Sequence, residues 1–261
     1  MTYNARAHFC WGASPSGSAQ WNAGGGVGWA FALFGAGSRQ AVVSSSSVTA
    51  MFEFPEVPVS RFERIADELA ERGWSVQEQL LPEALAQALG RECRALWQQA
   101  DLTPAAIGRG AEQVVVPRIR GDYTRWLDDC PPCAANTAYL ALMAELRSVL
   151  NRSLFLGLDS FETHYALYPP GAGYQRHLDR FADSPLRTIS VVSYLNHAWQ
   201  PGDGGELRLH LDAGMQDFAP RAGTVAIFTS ADIEHEVLAA AKERASLAGW
   251  FRRRPDNPLL R

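Results

Sequence analysis

The sequence predicts an α+β fold in which N-terminal helices support a double-stranded β-helix, or jelly roll. In the first half of the chain, apolar residues recur at three- and four-residue spacing, but after about residue 158 they alternate within short segments. Turn residues at 169–171, 201–205 and 220–223 separate these segments and leave no room for helical crossovers. Helices followed by short strands of this kind indicate an antiparallel sandwich or jelly roll.

Residues 1–50 have a composition unlike that of the rest of the chain. They are rich in Gly, Ala and Ser and contain no Asp, Glu or Lys. Such a stretch buries too little apolar surface to offset the entropy lost on ordering, so we expect a disordered extension, with Met51 as a candidate start. The apolar run at 27–34 is short and has only Arg6 as a fixed positive charge ahead of it, so a signal peptide is the less favoured alternative.

Residues 51–157 form the predicted helical support region. The helical spacing extends from 59 to about 101, and a further helix is predicted over 135–151. Pro82 fits a first helical turn. Apolar stripes of this kind are typical of helices that cover one face of a sheet. The first stripe consists of Phe62, Ile65, Leu69, Leu81, Leu85, Leu89 and Leu96.

Residues 158–261 form the predicted double-stranded β-helix core. Alternating polarity and turn signals predict its strands. They are Phe161–Tyr168, Tyr174–Asp179, Thr188–Asn196, Glu206–Leu211, Thr224–Phe228, His235–Ala239 and Arg244–Arg252.

Charge and hydropathy argue against two classes of partner. The formal net charge is −4 and the main basic cluster is the short run 252–254, so we expect no nucleic-acid partner. No run approaches the roughly 20 apolar residues that a membrane-spanning helix needs, so we expect no membrane partner.

The cysteines indicate a reducing environment. There are four, and Cys130 and Cys133 have the spacing of a redox motif, but no second Cys/His pair lies at zinc-site distance. We interpret them as an incidental pair in a proline-containing loop, with a reversible disulfide as the alternative. Few cysteines and no secretory pattern predict a cytoplasmic protein.

Two histidines and an aspartate are the candidate metal ligands. His177 and Asp179 are two residues apart, so in a strand both project from one face, and His235 opens a later strand. Two imidazoles and one carboxylate form the facial triad that suits iron(II) and leaves coordination positions for a chelating co-substrate and O2. His164, His197 and His210 lack such partners and are interpreted as ordinary strand or loop residues.

Arg244, nine residues after His235, extends this pattern. A 2-oxoglutarate that chelates the metal through its keto-acid end must bury its distal carboxylate, which is costly unless the carboxylate is paired. Arg meets a carboxylate with a bidentate fork that is always charged. Trp250 has the same strand parity as Arg244, so both are predicted to face one cavity.

With these residues, the stretch from about 117 to 253 resembles the prolyl-hydroxylase branch of the iron(II)/2-oxoglutarate dioxygenases. This branch includes the oxygen-sensing hydroxylases of animals and their bacterial relatives. The resemblance is carried by Arg118–Asp122 with Trp126, Tyr168-Pro169 ahead of Gly173–Asp179, Tyr194–Asn196 with Trp199, Gly204–Arg208, and His235–Val237 leading to Arg244 and Trp250.

The resemblance implies a role for each matching residue. His177, Asp179 and His235 would ligate iron, while Arg244 and the Tyr194 hydroxyl would hold the distal carboxylate of 2-oxoglutarate. Tyr168 and Trp250 would line the same pocket. Substrate would contact Arg120, Asp122 and Arg187, with Asp122 and Arg187 ion-paired beside an entrance that a flexible loop at 118–133 closes.

The implied reaction is hydroxylation of a prolyl residue in a protein. It would consume 2-oxoglutarate and O2 and release succinate and CO2, with ascorbate as a reductant, and the bacterial relatives make elongation factor Tu a candidate substrate. Three alternatives stay open: an oxygenase of the same kind acting on a free amino acid or other small molecule, a non-catalytic metal-binding jelly-roll module, and a redox protein using Cys130 and Cys133.

Overall fold

The computed structural model of the chain describes residues 54–108, 113–180 and 186–254. The extension predicted at 1–50 and the candidate start at Met51 lie outside these ranges. Within them the helices are α1 (Val59–Arg72), α2 (Glu83–Gln98) and α3 (Ala134–Leu154), with a 3-10 turn at Leu127–Asp129. None of the described helices is long and apolar enough to cross a bilayer.

Strands make up most of the rest of the described chain. They are β1 (Trp74–Gln77), β2 (Thr103–Pro104), β3 (Tyr123–Trp126), β4 (Leu158–Tyr168), β5 (Tyr174–His177), β6 (Arg187–Tyr194), β7 (Leu207–Leu211), β8 (Gly214–Phe218), β9 (Val225–Thr229), β10 (Glu234–Val237) and β11 (Arg244–Arg253).

Two antiparallel sheets form the core of the fold. The larger has the order β1-β9-β6-β11-β4-β3-β2, and the smaller has the order β5-β10-β7-β8. Neighbouring strands of each sheet are often far apart in sequence, as β4 and β11 are, which is the topology expected for a jelly roll. The predicted α+β double-stranded β-helix is therefore confirmed.

The two faces of the larger sheet have different surroundings: one face packs against the helices, and the other lines an inner cavity. On β4, Tyr165 and Leu167 pack with the three helices in the main core, whereas Tyr168 lines a cavity on the other face. On β11, Leu247 faces the helices and Arg244 faces the cavity. Because successive side chains of a strand point to opposite faces, one face of the sheet packs in the core and the other carries the side chains that line the cavity.

One predicted helical stretch is interrupted by a strand. The spacing of apolar residues over 59–101 indicated helix throughout, but β1 lies between α1 and α2 and pairs with β9 at the edge of the larger sheet. Gly73 ends α1 in the left-handed region, with φ +80°, and its N–H bonds the Leu69 carbonyl. The four residues that follow, Trp74–Gln77, then pair with the edge strand β9 and so are extended.

The loop predicted at 118–133 also contains regular structure. β3 pairs with β4 from Tyr123↔Leu167 to Trp126↔His164, and the 3-10 turn follows it directly. Beyond the turn, the Cys133 Sγ accepts a hydrogen bond from the Asn136 N–H and so caps α3. Cys130 and Cys133 are free thiols.

Candidate metal centre

The three predicted metal ligands lie together at one end of the smaller sheet. The nearest ligand atoms of His177, Asp179 and His235 all fall within 4.8 Å of one another. His177 Nε2 is 3.7 Å from Asp179 Oδ1, and His235 Nε2 is 3.5 Å from Asp179 Oδ2. Two nitrogens and a carboxylate converging on one point form a donor set that fits a single divalent iron.

Strand pairing explains why these residues meet. β5 and β10 run antiparallel, with His177 directly opposite His235. We predicted a strand through Asp179, but β5 ends at His177 and Asp179 lies just beyond it. The carboxylate therefore approaches from the loop, on the same side as both imidazoles.

Backbone carbonyls orient both imidazoles. His177 Nδ1 donates to the Gln175 carbonyl at 2.7 Å, and His235 Nδ1 donates to the Ile233 carbonyl at 3.2 Å. Because a carbonyl only accepts hydrogen bonds, each Nδ1 carries the proton and each Nε2 keeps its lone pair for a metal. Rings also hold them, since Tyr174 stacks on His177 at 3.6 Å and Phe228 meets His235 edge-on at 4.6 Å between centroids.

Asp179 is held in its charged form. Burial alone would raise its pKa, but His235, His177 and the Ser190 hydroxyl together bring the pKa well below its ordinary value. Ser190 Oγ donates to Asp179 Oδ2 at 2.7 Å and lies 2.8 Å from Ser230 Oγ. Sequence analysis missed both serines, because a buried serine carries no motif of its own.

His235 is held in its neutral form. Burial lowers its pKa to about 4, despite the opposing charge of Asp179. A neutral imidazole is the form that binds a metal, so no proton has to leave His235 near neutral pH before coordination.

Arg244 is buried opposite this centre without an acidic partner in the described chain. Its side chain is 1% exposed. Nε donates to the Gly205 carbonyl at 2.8 Å and Nη1 to Ser246 Oγ at 3.3 Å, but Nη2 has no partner within the described ranges. The guanidinium lies 5.1 Å from the Tyr168 ring centroid and 5.3 Å from that of Tyr194.

The Tyr194 hydroxyl is a second unpaired polar group beside Arg244. It is buried without a well-aligned hydrogen-bond partner among the described residues, and burial raises the pKa of Tyr194 to about 12 although the neighbouring Arg244 opposes the rise. A buried donor without a partner costs about 1–3 kcal/mol, and an unpaired buried cation costs more. A bound carboxylate would satisfy Arg244 Nη2 and the Tyr194 hydroxyl together, so this end of the site fits the distal carboxylate of 2-oxoglutarate.

One cavity of about 80 Å³ connects the two ends. We call it the metal chamber. It is lined by all three ligands, by Arg244, Tyr168 and Trp250 as predicted, and by His164 and Tyr174, which were not predicted. Of the other histidines interpreted as ordinary, His210 pairs with Glu236 at 3.1 Å and His197 is exposed.

Asp122 and Arg187, which the resemblance paired with each other, each bond a further residue in the structure. Asp122 accepts two hydrogen bonds from Arg120, at 2.7 and 3.0 Å, whereas Arg187 Nε donates to Glu162 at 2.8 Å. Arg120 is only two residues from Asp122 and reaches it without crossing the chamber. All three residues predicted for substrate contact nevertheless line the metal chamber.

Comparison with known proteins agrees with this geometry. A family model for the 2OG-Fe(II) oxygenase superfamily matches residues 163–252. A Pseudomonas putida prolyl-4-hydroxylase is 48% identical, with a TM-score of 0.67 and coverage of 74% of this chain and 100% of that one. The chain belongs to the 2OG-Fe(II) oxygenase superfamily. This oxygenase is also similar to a Trichoplax adhaerens prolyl hydroxylase solved with a hypoxia-inducible-factor peptide, at 26% identity, a TM-score of 0.67 and coverage of 74% and 91%.

The family membership confirms the predicted enzyme class, an iron- and 2-oxoglutarate-dependent dioxygenase of the prolyl 4-hydroxylase type. It favours catalysis over the non-catalytic jelly-roll alternative. A prolyl 4-hydroxylase from Phytophthora capsici shares the fold at 21% identity and a TM-score of 0.60, over 77% of this chain and 67% of that one.

Proposed function

We propose that this oxygenase hydroxylates a prolyl residue of a protein, with 2-oxoglutarate and O2 as co-substrates and succinate and CO2 as products. The relative with 48% identity is a prolyl-4-hydroxylase, and the Trichoplax relative binds a peptide. Both support a peptide substrate. Elongation factor Tu, suggested by the resemblance to bacterial prolyl hydroxylases, is our first candidate.

The observation that carries the co-substrate assignment is the buried, incompletely paired guanidinium of Arg244. Arg244 Nη2 and the Tyr194 hydroxyl lack a hydrogen-bond partner in the part of the chain that the structure describes. Arg244 lines the chamber that also holds the three ligands, and the Tyr194 ring lies 5.3 Å behind its guanidinium. One molecule with a metal-chelating end and a distal acid would therefore engage both ends at once. 2-Oxoglutarate has this form.

The residues of this chain position the reactants. Bound iron(II) and 2-oxoglutarate supply the activation of O2 and the oxidising power for the hydroxylation. His177, Asp179 and His235 would hold the metal and, as three ligands, would leave coordination positions for the co-substrates. Arg244 and Tyr194 fix the far end of 2-oxoglutarate, and the aromatic walls exclude water. The reaction needs no general base from the protein.

The space next to the metal chamber favours a peptide over a free amino acid. A second cavity of about 530 Å³ shares Arg120, His164, Arg187 and Trp250 with the metal chamber. We call it the outer cavity. One water takes roughly 10–15 Å³ of such space, so the outer cavity has room for several residues. A small-molecule substrate would leave it unused.

Mass spectrometry of reacted proteins tests the proposal. The enzyme, iron(II), 2-oxoglutarate and ascorbate are incubated with elongation factor Tu and, separately, with whole protein from host cells that lack the enzyme. We expect one additional oxygen on a defined proline, and none with Asp179→Ala. Oxygen-dependent succinate formation stimulated by a free amino acid, with no modified proline in any protein, would establish the small-molecule alternative.

A further inference from the structure

The metal chamber and the outer cavity share a floor made by two paired strands. β4 and β11 run antiparallel, and the residues that face the cavities lie opposite one another. From the Arg244 end outward the pairs are Arg244↔Tyr168, Ser246↔Ala166, Ala248↔His164 and Trp250↔Glu162. The floor thus leads directly from the 2-oxoglutarate end of the metal chamber into the outer cavity.

His164 and Trp250 lie where the two cavities join, and we call them the junction pair. Both line both cavities, and their ring centroids are 5.5 Å apart. His164 lies opposite Ala248, whose small side chain leaves room for the imidazole. Trp126 meets the same imidazole edge-on at 5.0 Å and lies 6.3 Å from Trp250, so His164 packs against a cluster of two indoles.

The junction pair presents one hydrogen-bond donor and one acceptor. His164 is 3% exposed, and its Nδ1 bonds the Tyr165 carbonyl at 3.0 Å, so Nδ1 carries the proton and Nε2 is an acceptor. Burial lowers the pKa of His164 to about 4, which keeps the ring neutral. Trp250 is 6% exposed, and its Nε1–H is buried without a hydrogen-bond partner among the residues that the structure describes. Indole nitrogen can only donate.

Beyond the junction pair the outer cavity is polar. The Glu162 carboxylate accepts from Arg187 Nε and from Arg252 Nη1, each at 2.8 Å. Thr103, Thr124 and Gln113 add further polar groups to the wall. This lining suits a solvated, extended peptide better than a large apolar group.

We propose that the junction pair binds the backbone of the substrate on one side of the target proline, with Trp250 Nε1 donating to a peptide carbonyl and His164 Nε2 accepting from a peptide N–H. This inference rests on the proposed function, because it requires a peptide substrate. A peptide group offers the complementary acceptor and donor at every residue, so the junction pair fixes the position of the chain with little regard to sequence. The flank of the substrate then lies in the outer cavity, towards Glu162 and Arg252.

Steady-state kinetics with a hydroxylated peptide give the first test. We expect His164→Leu to raise the peptide KM by roughly 3- to 10-fold, the cost of one hydrogen bond, with little change in kcat or in 2-oxoglutarate affinity. His164→Gln keeps an acceptor and should recover most of the loss. Trp250→Phe keeps an aromatic side chain, smaller than the indole, but removes the N–H, and should also raise the peptide KM. The matched control is His197→Leu, because His197 is exposed outside both cavities.

Replacing the peptide N–H groups with ester oxygens, one at a time, locates the bond. We expect one flanking position at which the ester lowers kcat/KM of wild type by roughly 3- to 10-fold. At the same position the ester should lower kcat/KM of His164→Leu by less than twofold. Binding of 2-oxoglutarate with Mn(II) confirms that each variant is folded.

The outcomes separate the inference from the function on which it rests. If wild type hydroxylates the peptide but the junction variants match it in KM, or if ester sensitivity persists in His164→Leu, the inference alone is overturned. If wild type hydroxylates no prolyl peptide or protein, the proposed function fails and the inference fails with it.

Discussion

Each ligand of the metal centre has a second partner that fixes its orientation. Carbonyl groups of β5 and of the residues before β10 hold the two imidazoles, and Ser190 holds the aspartate. Such partners hold the ligands in place before the metal binds, so less of the free energy of metal binding is lost to ordering them. Ser190 therefore contributes to the metal centre without touching the metal.

Replacing Ser190 tests this contribution. Ser190→Ala leaves Asp179 Oδ2 without its 2.7 Å hydrogen bond, and we expect metal affinity to fall roughly 10- to 100-fold, as for other partners of ligands. Mn(II) titration measures it. Ser148→Ala is the control, because the Ser148 hydroxyl bonds only the Ala144 carbonyl of its own helix. Equal Mn(II) affinity in the two variants would show that Ser190 only fills space.

The pH dependence of stability provides a separate test of His164. Its pKa is about 4 in the folded protein against 6.5 for an ordinary histidine, so the unfolded chain takes up the proton first as pH falls. The contribution of the neutral His164 ring to the free energy of unfolding is fully present above pH 6.5. It is lost as pH falls towards 4, by up to about 3 kcal/mol.

Urea unfolding of the metal-free protein at pH 7 and at pH 4.5 measures this loss. We expect wild type to lose about 2–3 kcal/mol more than His164→Leu between these two pH values, because leucine cannot bind the proton. Parallel losses in the two proteins would mean that His164 is already protonated, or accessible to water, in the folded state.

Sequence reasoning found residues whose chemistry is rare and whose spacing is constrained. His177, Asp179, His235 and Arg244 were found because a metal and a buried acid restrict residue type. Ser190, by contrast, lies on β6 and bonds Asp179 in the loop after β5. This contact depends on how the two sheets finally pack. The hydrogen bonds from Arg120 to Asp122 were not anticipated for the same reason, since Arg120 and Arg187 both line that part of the site.

At the scale of elements, the turn before β7 supports Arg244. The Gly205 carbonyl accepts from Arg244 Nε, and Gly205 has φ +71°, which disfavours any side chain. A Cβ on Gly205 would also lie 2.9 Å from Ala240 Cβ and 3.2 Å from Arg244 Cδ. The turn is thus fitted closely against the buried guanidinium.

We predict that Gly205→Ala weakens 2-oxoglutarate binding by roughly 10-fold, because it displaces the arginine in addition to straining the backbone by about 1–2 kcal/mol. Gly202→Ala is a matched control in the same loop. Gly202 has φ +92°, but nothing lies within 4 Å of its Cβ position. Titration of 2-oxoglutarate in the presence of Mn(II) should separate the two variants, and identical affinities would contradict the prediction.

β1 and β8 are among the strands that the sequence analysis missed, and each was missed for a different reason. β1 was assigned to a helical stretch because its four residues lie between two amphipathic helices, and only the open edge of β9 makes them extended. β8 has four exposed residues and one half-buried residue, so it lacks the alternation that a strand signal needs. In both cases the partner strand, rather than the local sequence, determines the structure.

At the scale of the whole molecule, packing and chemistry occupy opposite faces of one sheet. The described hydrophobic core runs from Val57 to Phe251 and includes all three helices. We therefore predict that a chain shortened to begin at Met51 folds and binds Mn(II) with unchanged affinity. Thermal unfolding and Mn(II) titration check this, and loss of folding or of metal binding would show that residues 1–50 are part of the domain.

The central claim is that one cavity holds a metal at one end and receives an acid at the other. Titration of the Mn(II)-loaded protein with 2-oxoglutarate and with 2-oxopentanoate tests it most directly, because the second compound replaces the distal carboxylate with a methyl group. We expect wild type to bind 2-oxoglutarate roughly 100-fold more tightly, and Arg244→Met to lose most of this preference. Arg254→Met, at an exposed pair with Asp159, should keep it. Equal binding of the two acids by wild type, or an undiminished preference in Arg244→Met, would contradict the account.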